Sequence, residues 1–180
     1  QALVVIGALV LSSVAFVVSA AESALWLRYP AISPDGETIV FVRDFNLFMM
    51  SAESYQQILD ARRGKSGAEA DSADMKVEVE EIQLTEDGVE HYAYGGGGRG
   101  DTDKEKEKNA HNRKRAGLSW SHDSNRFALV RRDQREVDDL WVIHSVGNKR
   151  MELETYKYDM PGEENVNQSE IWSYDLHSRS

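Results

Sequence analysis

Tyr29-Pro30-Ala31-Ile32-Ser33-Pro34-Asp35-Gly36-Glu37-Thr38-Ile39-Val40-Phe41-Val42-Arg43 is echoed 88 residues later by Gly117-Leu118-Ser119-Trp120-Ser121-His122-Asp123-Ser124-Asn125-Arg126-Phe127-Ala128-Leu129-Val130-Arg131. With Ser33 laid on Ser121, Asp35 meets Asp123, Ile39 meets Phe127, Phe41 meets Leu129, Val42 meets Val130 and Arg43 meets Arg131. In each copy a short apolar stretch is interrupted by Ser-Pro-Asp-Gly or Ser-His-Asp-Ser. Proline presets a turn φ, glycine tolerates a positive one, and aspartate bonds its own backbone two residues on. The β-branched and aromatic run behind it favours a strand. Each copy is therefore expected to be a hairpin.

The repeat extends outward from the hairpins. Asn46-Leu47-Phe48-Met49-Met50 follows the first copy and Asp139-Leu140-Trp141-Val142-Ile143 the second. Glu170 to Leu176 is a third instance of this strand pattern. Glu81-Ile82-Gln83-Leu84-Thr85-Glu86-Asp87-Gly88 adds a strand that ends in an Asp-Gly turn. Strand, turn, strand, strand and an outer strand ending in Thr-x-Asp-Gly is the order of a four-stranded propeller blade. The expected fold is all-β: an incomplete β-propeller of four-stranded antiparallel blades, preceded by a hydrophobic signal segment. A spacing of 88 residues is twice the usual blade of about 40–50 residues. Either a degenerate blade lies between the copies or the first carries insertions. Residues 51–74, rich in Ala, Ser, Gly and charge, favour insertion, as does the Gly-rich and charged stretch 95–115. The organisation expected is thus 1–21 as a targeting segment and 22–180 as about two blades. A single sandwich with two similar hairpins is the competing architecture.

Ala2 to Val18 is an uncharged apolar run followed by Ser19-Ala20-Ala21. This is the pattern of a secretory signal peptide, here expected to be truncated, since no Met or basic residue precedes the run. A retained membrane anchor is the alternative, although the run is short of the roughly 20 residues that span a bilayer. Both place the remainder outside the cytoplasm, periplasmic or extracellular. The chain holds 31 acidic and 21 basic residues, a net charge of −10. Nucleic acid as a partner is excluded on this balance, because phosphate binding requires clustered Lys and Arg. With no cysteine there is no disulfide, no thiolate nucleophile and no Cys-ligated zinc.

Catalytic motifs are missing. Gly117-Leu118-Ser119-Trp120-Ser121 and Ile171-Trp172-Ser173-Tyr174-Asp175 echo the nucleophile elbow but lack glycines that its strained turn requires. Tyr94-Gly95-Gly96-Gly97-Gly98-Arg99-Gly100 leads into no Lys-Ser or Lys-Thr and no apolar helix, so it is not a phosphate loop. Arg99-Gly100-Asp101 reads as a chance adhesion tripeptide. Residues 101–115 read as a solvated charged loop, with a short Glu–Lys-paired helix as the alternative. His91, His111, His122, His144 and His177 carry no metal-ligand spacing. No cofactor and no metal are expected.

Trp120-Ser-His-Asp-Ser-Asn-Arg-Phe-Ala-Leu-Val-Arg-Arg-Asp-Gln-Arg135, Asp139-Leu-Trp-Val-Ile-His-Ser-Val-Gly-Asn148, Leu153-Glu-Thr-Tyr-Lys-Tyr158 and Met160-Pro-Gly-Glu-Glu164 together resemble the propeller of bacterial dipeptidyl peptidase IV-like proteins of the prolyl oligopeptidase superfamily. The resemblance covers Leu84 to Leu176. Residues 28–36 carry only a blade motif shared with TolB-like and tricorn-like propellers. The resemblance implies an exported serine exopeptidase that removes N-terminal dipeptides, often Xaa-Pro. The propeller gates and binds the peptide substrate, and a C-terminal α/β-hydrolase domain, not contained in this chain, carries the catalytic triad. It also implies a homodimer of the full-length protein. In that family a glutamate pair shortly before the Trp-Ser-Pro-Asp turn holds the substrate's amine. A carboxylate pair suits an ammonium ion because charge-assisted hydrogen bonds are strong. Here the region reads Lys104-Glu105-Lys106-Glu107, so the implied substrate-binding residues are Glu105 and Glu107, without an adjacent Glu-Glu. This departure bears on dipeptidyl specificity. A non-catalytic, TolB-like periplasmic scaffold is the alternative function.

Two blades leave open strand edges, which invite association. Residues 22–180 alone are expected to be poorly soluble. A reversible, monomeric melt in analytical ultracentrifugation and calorimetry would contradict this.

Overall fold

A computed structural model describes residues 31–95, 102–147 and 150–178. The targeting segment 1–21 and the Arg-Gly-Asp tripeptide lie outside the described residues. The described residues are mostly strands in antiparallel sheets, with few helices and no closed barrel.

The first blade is the sheet β1 (Ala31–Ile32), β2 (Thr38–Arg43), β3 (Asn46–Ser51) and β4 (Ile82–Gln83), in that order. β5 (Lys114–Arg115) shares an edge of β2 with β1, pairing opposite Phe41 and Val42. The predicted Ser-Pro-Asp-Gly hairpin forms: Ser33 N–H donates to the Thr38 carbonyl, and Gly36 takes a φ of 78°. β2 and β3 are joined by Asp44 and Phe45 alone, both at positive φ, as a two-residue hairpin turn matched to strand twist requires.

The second blade comprises β6 (Leu118–Trp120), β7 (Arg126–Asp133) and β10 (Gln168–Asp175), ordered β10-β7-β6. Its turn repeats the first. Ser124 occupies the place of Gly36 with a φ of 60°, and its hydroxyl accepts the backbone N–H of Asp35, so the two turns touch. The strand that follows the second hairpin differs from the sequence reading. Asp139–His144 (β8) does not join β7. It pairs over its whole length with Glu152–Lys157 (β9) as a separate hairpin, and β10 takes the third blade position across eight residue pairs. Alternation of apolar residues marks a strand but does not choose its partner, and β8 finds its partner locally.

Two segments without strand character are helical. α1 (Ala52–Arg62) and α2 (Gly67–Met75) follow β3, with Ser51 accepting the Ser54 N–H as N-cap. α3 (Asp103–Lys108) replaces the solvated loop expected over 101–115. The reason is the capping box: Thr102 Oγ1 accepts the Glu105 N–H, and the Glu105 carboxylate accepts the Thr102 N–H.

The two blades pack face to face. Val40, Val42 and Leu47 of the first meet Phe127, Leu129 and Tyr174 of the second, with Tyr94 and Ala116. Aromatic rings interlock there: Phe127 and Tyr174 lie 5.5 Å apart, and Tyr94 meets Trp172 edge-on at 4.9 Å. The opposite face of the first blade, with Ile39, Phe41, Phe48 and Met50, is covered by Tyr55 and Ile58 of α1.

The Thr-x-Asp-Gly ending of β4 is clamped onto β3. Leu47 N–H donates to Thr85 Oγ1, and the Asn46 side-chain oxygen accepts from Thr85 Oγ1 and the Gly88 N–H. A Cβ at Gly88 would lie 2.2 Å from the Phe45 carbonyl oxygen. Gly88→Ala is therefore expected to destabilise the chain by about 2–3 kcal/mol through forced backbone displacement. A lowered urea midpoint at unchanged m-value is the readout.

Candidate functional site

The candidate site lies where the 88–95 segment, α3, the end of β7 and the β8–β9 hairpin meet. α3 packs against β9, and the Gln134 N–H at the end of β7 donates to the His91 carbonyl.

Arg131 organises this end. Its side chain is 2 % exposed. One amine bonds Asp87 Oδ2 at 2.7 Å and the Tyr94 hydroxyl at 3.0 Å, and the other bonds the carbonyls of Asp87 and Tyr92. The guanidinium lies 3.4 Å from the Tyr92 ring centre and 3.9 Å from that of Tyr94. Arginine fits because its planar fork donates in plane while its faces stack on rings. Asp87, in the turn after β4, is thereby joined to β7 of the other blade. Arg131 holds the Asp87 carboxyl below the usual carboxylate range, and burial together with the Asp87 hydrogen bond raises the Tyr94 hydroxyl. Tyr92 continues the network outward, its hydroxyl donating to Glu170 at 2.7 Å beneath the Arg135 guanidinium.

His91, at a φ of 61°, sits beside this latch. Its Nε2 lies 3.8 Å from a Glu90 oxygen and 3.9 Å from Asp103 Oδ1, and its Nδ1 is buried without a partner among the described residues. Burial pushes the imidazole below its ordinary pKa, against the Asp103 and Glu90 carboxylates, which act to raise it. Glu90, His91 and Asp103 each place a donor atom within 4.8 Å of the others, close enough to share one divalent ion. Lys106, bonded to Asp103 at 3.2 Å, competes for the same carboxylate. Sequence spacing gave no sign of this cluster, since residues 90–91 and 103 are a dozen positions apart and only folding brings them together.

The two implied substrate-binding residues are both on α3 and both exposed. The Glu105 carboxylate faces back to cap its own helix. Glu107, two residues on, projects from a different side, since i and i+2 do not share a helical face. Ser119 and Ser173 are regular strand residues in β6 and β10, both opposite Ala128. His144 bonds Glu154 and His111 bonds Asp44 rather than any serine. An open groove of about 620 Å³, lined by Thr38, Met49, Glu53 and Glu80 among others, lies against the first blade and shares no residue with the α3 cluster.

α3 is held in place from behind. Arg113, 9 % exposed in its side chain, bonds Asp74 of α2, Glu81 and the Val77 carbonyl. The segment between α3 and β5 is thus pinned to the helical insert.

Residues 76–180 match the family profile described as the dipeptidyl peptidase IV (DPP IV) N-terminal region. The structure is similar to the crystal structure of Porphyromonas gingivalis dipeptidyl peptidase 4, with a TM-score of 0.51 and 25% sequence identity over 84% of this chain. The chain spans only 17% of the length of that protein. Comparison with curated proteins finds no match.

The carboxylates of the second blade and of the Arg131 latch set the response of the fold to acid. Asp123 is lowered to about 2 by the Ser121 hydroxyl and Asp133 to about 2 by Arg135, while Asp87 is lowered by Arg131. A carboxyl group lowered in the folded state stabilises it above the ordinary value of 3.8 and loses that contribution as pH falls through the folded value. Stability is therefore expected to decline from about pH 4 towards pH 2. Asp87→Asn should be less stable than wild type at pH 7, with the gap closing over that interval. A gap unchanged at pH 2 in urea titrations would show that the latch does not act through carboxylate charge.

Proposed function

The chain belongs to the dipeptidyl peptidase IV N-terminal region family, and from that premise we propose that it is the peptide-gating propeller portion of an exported serine exopeptidase. The observation that carries this reading is the family match over residues 76–180, from before β4 through the second blade. The likeness to a bacterial dipeptidyl peptidase 4 supports it. In this reading the partner is a hydrolase domain carried elsewhere on the polypeptide, and the substrate is a peptide with a free N-terminus, often with proline second. The full-length protein acts as a homodimer.

Chemically, the α3 end is suited to a cationic amine. Glu107 and Glu105 stand exposed on a short helix that is rigidly capped and braced by Arg113, and Glu90 and Asp103 lie alongside. A carboxylate presented on a fixed element binds ammonium without an ordering cost at the moment of binding. With Glu105 engaged in the cap, Glu107 is the freer of the two proposed amine ligands.

The test uses the full-length polypeptide and chromogenic Xaa-Pro substrates. Glu107→Gln is expected to raise KM about tenfold with kcat little changed, the size of a lost hydrogen bond to a charged group. Glu105→Gln should raise KM and also lower the melting temperature through the weakened cap. An unchanged KM in both variants would remove these residues from the site. A polypeptide without peptidase activity and without a Gly-x-Ser-x-Gly elbow would favour the TolB-like scaffold.

A further inference from the structure

The internal repeat assigns each blade two faces, and the sheet registers make them comparable residue by residue. In the first blade one face carries Ile39, Phe41 and Arg43 with Phe48 and Met50 opposite. The equivalents in the second are Phe127, Leu129 and Arg131, with Trp172 and Tyr174 opposite. This is the leading face. The other, trailing, face carries Val40, Val42, Leu47 and Met49 in the first blade and Ala128, Val130, Ile171 and Ser173 in the second.

The leading face of the second blade packs on the trailing face of the first. By the same rule, the leading face of the first blade is the surface on which a preceding blade would sit. It is occupied by α1: Ile58 is 1 % exposed and Tyr55 8 %, both against Ile39, Phe41, Phe48 and Met50. The latch arginines differ in the same sense. Arg131 reaches Asp87 of the preceding blade. Arg43, its counterpart, instead bonds Glu81 next to its own blade's outer strand at 2.5 Å and stacks on Phe48. Glu81 continues through Arg113 and Asp74 to Arg62 at the end of α1, an alternating chain of charges that fastens the helical insert to the sheet. The trailing face of the second blade, by contrast, is bare, with Val130 55 % and Ile171 83 % exposed.

We propose that the α1–α2 insert is a terminal cap that stands in for a neighbouring blade. The blade stack begins at the first blade, further blades add only onto the Val130–Ile171 face, and the ring has its seam at α1 instead of closing sheet to sheet. The proposal is independent of the activity of the parent protein, because it concerns which blade faces are open to a neighbour.

The chain contains no cysteine, so thiol labelling is clean. In the full-length polypeptide, Ile58→Cys is expected to label about a hundredfold more slowly than the adjacent exposed Gln57→Cys, as an opening-limited site does. If a ring-closing blade displaces α1 from the sheet, the two label at similar rates and the proposal fails. Ala70→Cys in α2, at 2 % exposure, serves if Ile58→Cys does not fold. A second measurement uses the present chain. Ile58→Asp should uncover the leading face and let copies stack leading face on trailing face, an open-ended contact seen as polymer in sedimentation. Adding Ile171→Arg should return the species to the size of the Ile171→Arg chain alone. Association of Ile58→Asp that ignores Ile171→Arg would overturn the assignment.

Discussion

A buried guanidinium is costly to desolvate, by several kcal/mol even after relaxation, and it persists only where its charge is compensated. The two terminal amines of Arg131 meet a carboxylate, a tyrosine hydroxyl and two backbone carbonyls, and its plane lies against two aromatic rings, while its Nε–H has no hydrogen-bond partner among the described residues. Those partners come from the turn after the outer strand of one blade and from the segment leading to the next, so the arginine fixes the spacing and rotation of the blades together. Tyr94, held by this network, is also part of the apolar interface, where it meets Trp172. The polar latch and the aromatic core therefore depend on each other. The His91 backbone and the end of β7 are positioned beside it.

The same physics appears on the other side of the first blade with different residues. Asp74, almost wholly buried, lies between Arg62 and Arg113, and Glu81 lies between Arg113 and Arg43. Each of the two carboxylates is shared by two arginines, so the chain fixes the arrangement of the insert against the sheet more than it adds stability. Burial and the nearby Asp74 charge push the Tyr55 hydroxyl up to about 12, so it stays neutral against the sheet. The helical insert is thus held both by apolar packing of Tyr55 and Ile58 and by a polar rim. Its attachment through Arg113 also braces α3, which links the covered face of the first blade to the candidate site at the end of the second.

At that site the electrostatics are mixed rather than uniformly acidic. Asp103 is shared between Lys106 and the neighbourhood of His91, and Lys157 is bonded to Asp139 at 3.0 Å on the adjoining hairpin. The capping box closes the start of α3, because the Thr102 and Glu105 N–H groups and the Glu105 carboxylate are satisfied locally.

Sequence alone determined the hairpins, the strand order of the first blade and the fold class, because each rests on local chemistry: turn residues with preset or permissive φ, and strands with a period of two. It also determined the absence of a nucleophile elbow, since that turn needs glycines next to the serine. The family resemblance was legible for the same reason, being carried by contiguous motifs from Leu84 to Leu176. Tertiary structure decided what depends on partners distant in the chain. It set β10, not β8, beside β7, because strand alternation does not encode pairing. It turned Glu105 into a helix cap and gathered Glu90, His91 and Asp103 across a dozen residues. It also made Arg43 and Arg131, identical in the repeat, do different work, because one has a blade in front of it and the other a helix. The distinction is physical: a residue's propensity is its own, whereas its burial, charge partner and exposed face belong to the neighbours that folding brings.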